Sequence, residues 1–416
     1  MKPLSIVFLV LFAVSSSKIY SQVIDLPKYS LDNMQYLGAF RLPEETFGDA
    51  RVAWSAGQIA VDPTGETFFF SGSNKRSIAQ FKIPNSLSPS DSIEDLQIID
   101  PPIQNFSNML NRAPTGNPNE IGRITGLSLV DGKLIVNAAV YYDANAENEY
   151  TTLIVEDPSN LKGSVVRGYM KLEGGNHSAG WISRVPSQYV DLFNHTLIAG
   201  HASNLPINAR NSMGPSAFLL DKQELLSSKS DELIPTVRLL DFGINNLLHP
   251  DVNNDSLSNN LWTELSYAFH GFIVPGTSTY LTIGQSGGHE SGIGYKITQP
   301  NGYNCGGFCA YDHRDYYNYV WLWDVDDLVS SFKGELDPSE IRPYKFELVN
   351  LPHEDPLNQG YASSRVIGAD FTPDGRLYIV LENADTLQSQ YEKQPIVLVY
   401  QMFPDRPEPP TNLNVQ

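Results

Sequence analysis

One pattern recurs along the chain and limits what it can become: an apolar run, a tight polar turn, a second apolar run, then a longer stretch and a further strand. Gln58-Ile-Ala-Val, Asp62-Pro-Thr-Gly and Thr67-Phe-Phe-Phe form the first instance. Leu127-Ser-Leu-Val, Asp131-Gly132 and Lys133-Leu-Ile-Val form the second, and Trp181-Ile-Ser-Arg-Val with Thr196-Leu-Ile-Ala the third. Phe272-Ile-Val-Pro-Gly with Thr279-Tyr-Leu-Thr-Ile is the fourth, and Ala369-Asp-Phe-Thr, Pro373-Asp-Gly and Arg376-Leu-Tyr-Ile-Val the fifth. Asp-Gly and Pro-Asp-Gly between apolar runs are hairpin signals. No helical period runs for a useful length; the best short candidate is Asp326 to Phe332.

Hairpin units repeating along a chain point to radial repetition, and the expected fold is all-β, a β-propeller. Five units favour five blades, with six or seven left open because the insertions before Leu261 and Tyr319 have room for further strands. Leu96-Gln-Ile-Ile, Val166-Arg-Gly-Tyr-Met, Val237-Arg-Leu-Leu and Tyr344-Lys-Phe-Glu-Leu supply outer fourth strands. The fifth unit lacks one, while Tyr36-Leu-Gly-Ala-Phe is left over at the start. An N-terminal strand closing the last blade uses both and removes the open edges.

Residues 1–21 read as a secretory signal: Lys2, then apolar Leu4 to Val14, then the small residues Ser15-Ser16-Ser17. The apolar run is shorter than the roughly 20 residues a membrane span needs. One propeller domain over 22–403 and a Pro-rich tail over 404–416, resembling the opening of a fibronectin type III module, complete the division. The expected location is secreted or periplasmic, and the expected state a monomer. In that setting Cys305-Gly-Gly-Phe-Cys309 suggests a small disulfide loop. With 28 Lys+Arg against 47 Asp+Glu, the net charge of −19 repels phosphate, which argues against nucleic acid.

Aligning the first strands places a small residue at one position: Gly57, Gly126, Gly180, Ala268 and Gly368. Strand glycines mark close backbone approach, as near a crowded axis. Three residues earlier stand Trp54, Arg123, His177, Leu265 (with Glu264 beside it) and Arg365, which a propeller would set around one mouth of its channel. The loops after each second strand would open on the same face, bringing Tyr141, Tyr142, His201, Arg210 and His289. Arg123 and Arg365 suit carboxylate or sulfate. His177, His201 or Tyr141 would handle a proton α to a uronate carboxylate, the chemistry of β-elimination. Trp54, Tyr142, Arg210 and His289 would bind substrate. Glycoside hydrolysis is the rival and needs two facing carboxylates, with Glu264 and a loop acid as candidates.

The competing reading of the ring is structural: Arg123 and Arg365 paired with Glu264 and Asp370 inside the channel, and His177 filling space. No cofactor is required. A structural calcium would use Asp251, Asn253 and Asp255, whose spacing resembles a calcium loop without its glycine and terminal glutamate. Tyr316 to Trp323 alternates as a strand whose aromatic residues pack a core.

Tyr36-Leu-Gly-Ala-Phe-Arg-Leu-Pro, Val140-Tyr-Tyr-Asp, Asn211-Ser-Met-Gly-Pro-Ser-Ala-Phe and Tyr319-Val-Trp-Leu-Trp-Asp-Val-Asp-Asp-Leu resemble a family of exported bacterial propeller-like proteins without an assigned function. That resemblance carries over no catalytic residues. The architecture is also similar, as fold-level analogy, to propeller enzymes and lectins acting on polysaccharides. The mouth ring makes a lyase cleaving an acidic, uronate-containing polysaccharide the expected enzyme, with a non-catalytic glycan- or protein-binding propeller as its alternative.

Overall fold

A computed structural model describes residues 25–143, 145, 147–202, 213–354, 364–389 and 391–402. The leader and the Pro-rich tail read from the sequence lie outside the described residues, as does Arg210.

The chain forms five antiparallel blades. Strand β1 (Met34–Arg41) comes first and is set aside for the last blade. Blade one is β2 (Ile59–Val61), β3 (Thr67–Ser71), β4 (Ser77–Lys82) and β5 (Gln104–Asn108). Blade two is β6 (Arg123–Val130), β7 (Lys133–Ala139), β8 (Thr152–Val155) and β9 (Val166–Leu172). Blade three is β10 (Trp181–Arg184), β11 (Leu197–Gly200), β12 (Ala217–Leu220) and, after the short β13 (Leu233–Ile234) that runs parallel to β9, β14 (Thr236–Leu240).

Blade four is β15 (Tyr267–Ile273), β16 (Thr279–Gly287), β19 (Tyr316–Asp324) and β20 (Lys345–Leu348), with the hairpin β17 (Ile293–Tyr295) and β18 (Phe308–Ala310) inserted between its second and third strands. Blade five is β21 (Val366–Phe371), β22 (Arg376–Asp385), β23 (Gln394–Met402) and β1, which pairs with β23 from Met34↔Met402 to Arg41↔Ile396. The N-terminal strand therefore closes the ring. The helix expected over Asp326–Phe332 is present as Val325–Phe332, capped by the Asp324 carboxylate on Asp326 N–H.

Three of the four expected outer strands are β9, β14 and β20. Leu96-Gln-Ile-Ile is not: β5 takes that place, at Gln104–Asn108. Backbone bonds Arg41 N to Gln97 O (2.8 Å) and Ile99 N to Arg41 O (3.0 Å) tie this segment to β1 instead. Its apolar residues follow, with Leu96 and Ile99 buried while Ile98 faces solvent.

The core is five wedges, one between each pair of neighbouring blades. Ile124, Leu134 and Val136 of blade two pack with Ala60 and Phe69 of blade one, while Val130, Ile135 and Ile154 pack with Ile182 and Ala199 of blade three. In β19, Tyr319, Trp321 and Trp323 enter the wedge toward blade three, and Val320 and Leu322 that toward blade five. Both faces of such a strand are buried, so its sequence reads as a continuous apolar run. Burying a large apolar side chain contributes roughly 1.5–3 kcal/mol, against roughly 0–1 kcal/mol for a surface ion pair. The wedges, not the surface bridges, hold the ring.

Around the axis, β2, β6, β10, β15 and β21 neighbour one another in that order, and β21 returns to β2. Here the aligned small residues are required. A Cβ on Gly126 would stand 1.8 Å from Gly180 O, and one on Gly368 would stand 1.8 Å from Gly57 O. The Asn137 side-chain amide donates to Gly180 O at 2.8 Å and fastens blade two to blade three at this level. No helix among the described residues is long and apolar enough to cross a membrane.

Candidate functional site

A cavity of about 1190 Å³ opens where the inner strands begin. Ligand pockets commonly measure roughly 300–1,000 Å³, so this one has room for an oligosaccharide. Of the residues singled out from sequence, Arg123, Tyr141, Tyr142, His201, Glu264 and Arg365 line it.

Each is set by its strand end. Arg123 is the first residue of β6. Arg365 precedes β21, where Asn318 of blade four accepts Val366 N–H at 2.8 Å and donates to Ser364 O at 3.1 Å. Its Nη2 stands 3.3 Å from Glu382 Oε2, on the facing strand β22. Arg365 is thus paired with Glu382 and not with Asp370, which lies farther along β21 and accepts from the backbone of Val61 and Phe371. Glu264 is buried in a turn where Thr263 N–H donates to Ser266 Oγ at 2.8 Å and Thr263 Oγ1 to Gly287 O at 2.7 Å.

His201 is buried and its Nδ1 lies 2.9 Å from Asn176 O. A carbonyl only accepts, so Nδ1 carries the proton and the basic lone pair is at Nε2. Burial lowers its pKa to about 4, with the charges of His177 and Arg123 acting the same way, so the ring is neutral near pH 7. Tyr141 and Tyr142 stand about half and two-thirds exposed, edge to face with centroids 5.0 Å apart.

Three expected site residues stand outside the lining. His177 ends a short 3₁₀ turn, Gly175–His177, that carries its ring to the Asp241 carboxylate. Trp54 has φ 55°, which turns it into solvent beside the lining residue Ser55. His289 packs between Tyr317 and Tyr319 with Nε2 2.7 Å from Ser286 Oγ, and burial lowers its pKa to about 4.

The Asp251 carboxylate accepts from Asp255 N–H (2.9 Å) and Ser256 N–H (3.0 Å), and so closes its own loop. Among the described residues no group of three or more His, Cys, Asp and Glu could hold a metal ion. Cys305 and Cys309 are joined as a disulfide.

The sequence reading missed Lys75 as a site residue. Asn74 Oδ1 accepts Arg76 N–H (3.0 Å) and Ser77 N–H (2.9 Å), an Asx turn that holds Lys75 at φ 60°. The lysine is half-buried on the cavity wall, and burial, then Arg123, lowers its pKa, against Glu382, which raises it. The Asn-Lys-Arg turn after β3 was the available signal. Gln285, in a loop expected on this face, lines the cavity with a buried Oε1 that has no hydrogen-bond partner among the described residues, and Tyr295, Tyr303 and Phe308 from the inserted hairpin were unanticipated.

The described lining thus sets three cations, Lys75, Arg123 and Arg365, against two carboxylates, Glu264 and Glu382, beneath exposed tyrosines. On a chain of net charge −19 this is a locally basic, aromatic hollow. It can hold an anion by charge-assisted hydrogen bonds and stack apolar sugar faces on phenol rings.

No family model matches the chain, and no curated protein matches it. Solved structures do. The WD40 β-propeller domain of Doa1 matches at 10 % identity and TM-score 0.32, covering 89 % of this chain and 97 % of that one. A putative oxidoreductase (glucose dehydrogenase) from Thermus thermophilus matches at 14 % and 0.34, over 87 % and 100 %. An endo-arabinase from Bacteroides thetaiotaomicron matches at 10 % and 0.34, over 85 % and 96 %. These likenesses concern architecture only, and neither residues nor activities are carried over from them.

Proposed function

We propose that the protein is a secreted or periplasmic polysaccharide lyase that cleaves a uronate-containing polysaccharide by β-elimination in the propeller mouth. The observation that carries the reading is the grouping of Lys75, Arg123 and Arg365 around one hollow walled by exposed tyrosines, in a strongly acidic protein. Arg123 and Arg365 neutralise the uronate carboxylate and stabilise the charge that builds on it as the adjacent proton leaves. Lys75, whose ammonium is disfavoured by burial and Arg123 and favoured by Glu382, takes that proton after first giving up its own. The electron pair forms the C4=C5 double bond, the C4–O4 bond breaks, and the departing oxygen receives a proton from the Tyr141 phenol. His201, neutral and held by Asn176, lines the same hollow as a buried ring beside the substrate.

The test is ultraviolet absorbance of the unsaturated uronate while the purified protein meets polygalacturonate, alginate, hyaluronan and other acidic polymers. A rise that is lost in Lys75→Met and Arg123→Ala supports the lyase. New reducing ends without absorbance would replace it with hydrolysis, for which Glu264 and Glu382 are the carboxylates lining the cavity. Binding without either signal would leave a recognition propeller.

A further inference from the structure

The inserted hairpin of blade four adds a wall to the cavity that the bare blade would lack: Tyr295, Tyr303, Gly306, Gly307 and Phe308 all line it. Two of these are glycines without an internal reason to be so. A Cβ built on Gly306 or Gly307 meets nothing within 4 Å, and neither residue has a left-handed φ. Other glycines with open space ahead of them, Gly116, Gly132, Gly175, Gly302 and Gly334, all sit at positive φ, where the backbone itself favours glycine. At 306 and 307 neither a left-handed backbone nor packing against the described residues excludes a side chain.

The loop is also held in place. The Cys305–Cys309 disulfide closes it across a Cα–Cα distance of 6.3 Å. Cys305 N–H donates to Ile297 O at 2.9 Å and Lys296 N–H to Gly307 O at 2.8 Å, which fastens it to β17 and its turn. Beside the gap stand Tyr295 and Tyr303, 58 % and 40 % exposed, with the Phe308 ring 5.0 Å from that of Tyr295. Tyr141 and Tyr142 come from blade two, which is not a neighbour of blade four around the ring. Aromatic side chains therefore flank the basic residues from two separate parts of the rim.

We propose that Gly306-Gly307 is a gap in the rim through which an acidic glycan chain leaves the mouth, so that the site grips an interior stretch of the polymer between the two aromatic groups. This rests on the reading of the mouth as a site for acidic glycans. Units beyond the reacting pair stack on Tyr295 or Tyr303 on one side and on Tyr141 or Tyr142 on the other, and the glycine backbone lets the chain pass close to the wall.

The experiment is calorimetric titration of oligosaccharide ladders, disaccharide to octasaccharide, prepared from polygalacturonate, alginate and hyaluronan, against wild type, Gly306→Val, Gly307→Val, Tyr295→Ala and Tyr311→Ala. Tyr311 is exposed but outside the cavity lining and serves as control. Wild-type affinity should rise well past the trisaccharide. The valine variants, with unchanged melting temperatures, should lose about tenfold (near 1.4 kcal/mol) on the longest oligomers while matching wild type on the disaccharide. Tyr295→Ala should shorten the length dependence in the same way, and Tyr311→Ala should leave it intact. Valine variants that follow wild type at every length overturn the gap while leaving the basic hollow standing, as does wild-type affinity that stops rising at the trisaccharide. A wild type that binds none of the ladders overturns both the gap and the reading it rests on.

Discussion

Ile124 donates its backbone N–H to the carbonyl of Lys75 at 2.8 Å. The strand that begins with Arg123 is thereby joined to the turn that carries Lys75, across the boundary between blades one and two. The backbone positions from which the guanidinium and the amine of the proposed chemistry extend are thereby held next to each other.

The first prediction separates charge from basicity at Lys75. Lys75→Arg keeps a cation but cannot lose its proton. It should bind the productive polymer within a few-fold of wild type and lose roughly 10²–10⁴ in turnover, the usual contribution of a positioned base. Initial rates of unsaturated product and titration calorimetry measure the two quantities. Retained turnover removes Lys75 from the base role.

At the neighbouring blade, Arg365→Ala should weaken acidic-polymer binding by roughly ten- to a hundredfold, since hydrogen bonds to charged groups are worth about 1.5–3 kcal/mol. Glu382→Gln, which removes the carboxylate 3.3 Å from that guanidinium, should tighten binding of the anion. Affinities at two salt concentrations check both, and the Arg365→Ala loss should shrink at high salt.

Stability should fall as the solution is acidified. Burial holds His201 and His289 near pKa 4 and His270 near 3, against 6.5 in an unfolded chain, so unfolding takes up protons as pH drops below about 6.5. For a depressed histidine the stabilisation is complete above the unfolded pKa and is lost toward the folded one. Asp370 acts oppositely: burial raises it from 3.8 to about 7, so the native state holds an extra proton between those values. Three uptakes against one release leave a net loss on the order of 2–3 kcal/mol per pH unit in the middle of the window. Glu354, also raised by burial, reduces the loss at the acid end. Urea titrations at pH 7.5, 6 and 5 measure it. Asp370→Asn should make the decline steeper and raise stability at the alkaline end.

The axis gives a folding test. Gly126→Ala and Gly368→Ala each force a methyl to 1.8 Å from a backbone oxygen of the next blade. Inner strands have no slack there, so each should cost at least roughly 1–3 kcal/mol, the usual range for overpacking. Melting temperature and soluble yield measure it. An unchanged melt would mean that neighbouring inner strands can move apart at the axis.

How far the sequence reads correctly depends on what fixes each feature. Blade number and the closing role of Tyr36-Leu-Gly-Ala-Phe were legible because hairpin turns and strand edges are local demands. The axial glycines were legible because close backbone approach admits few residues. Position in the ring was only partly legible: Arg123 and Arg365 reach the mouth from strand ends, while His177 is diverted by a single turn to Asp241. Outer strands suffer similarly, since Leu96-Gln-Ile-Ile has strand composition but is held by β1 of another blade. Lys75 was not legible, because an Asx turn of Asn74 and the approach of Arg123 give it its setting, and both are tertiary facts.

The pairing of β1 with β23 also constrains time. The outermost strand of the last blade is made before any of the others, and the strand it must find is made after all of them. The blades before the last cannot close the ring, and although residues 88–99 pair with one edge of β1, the edge that faces β23 waits while more than three hundred residues follow it. Completion is therefore a single late event, dominated by a contact of very large sequence separation, and such contacts make folding slow. A chain built this way stays open until its final strand arrives, then locks both ends of the propeller in one sheet.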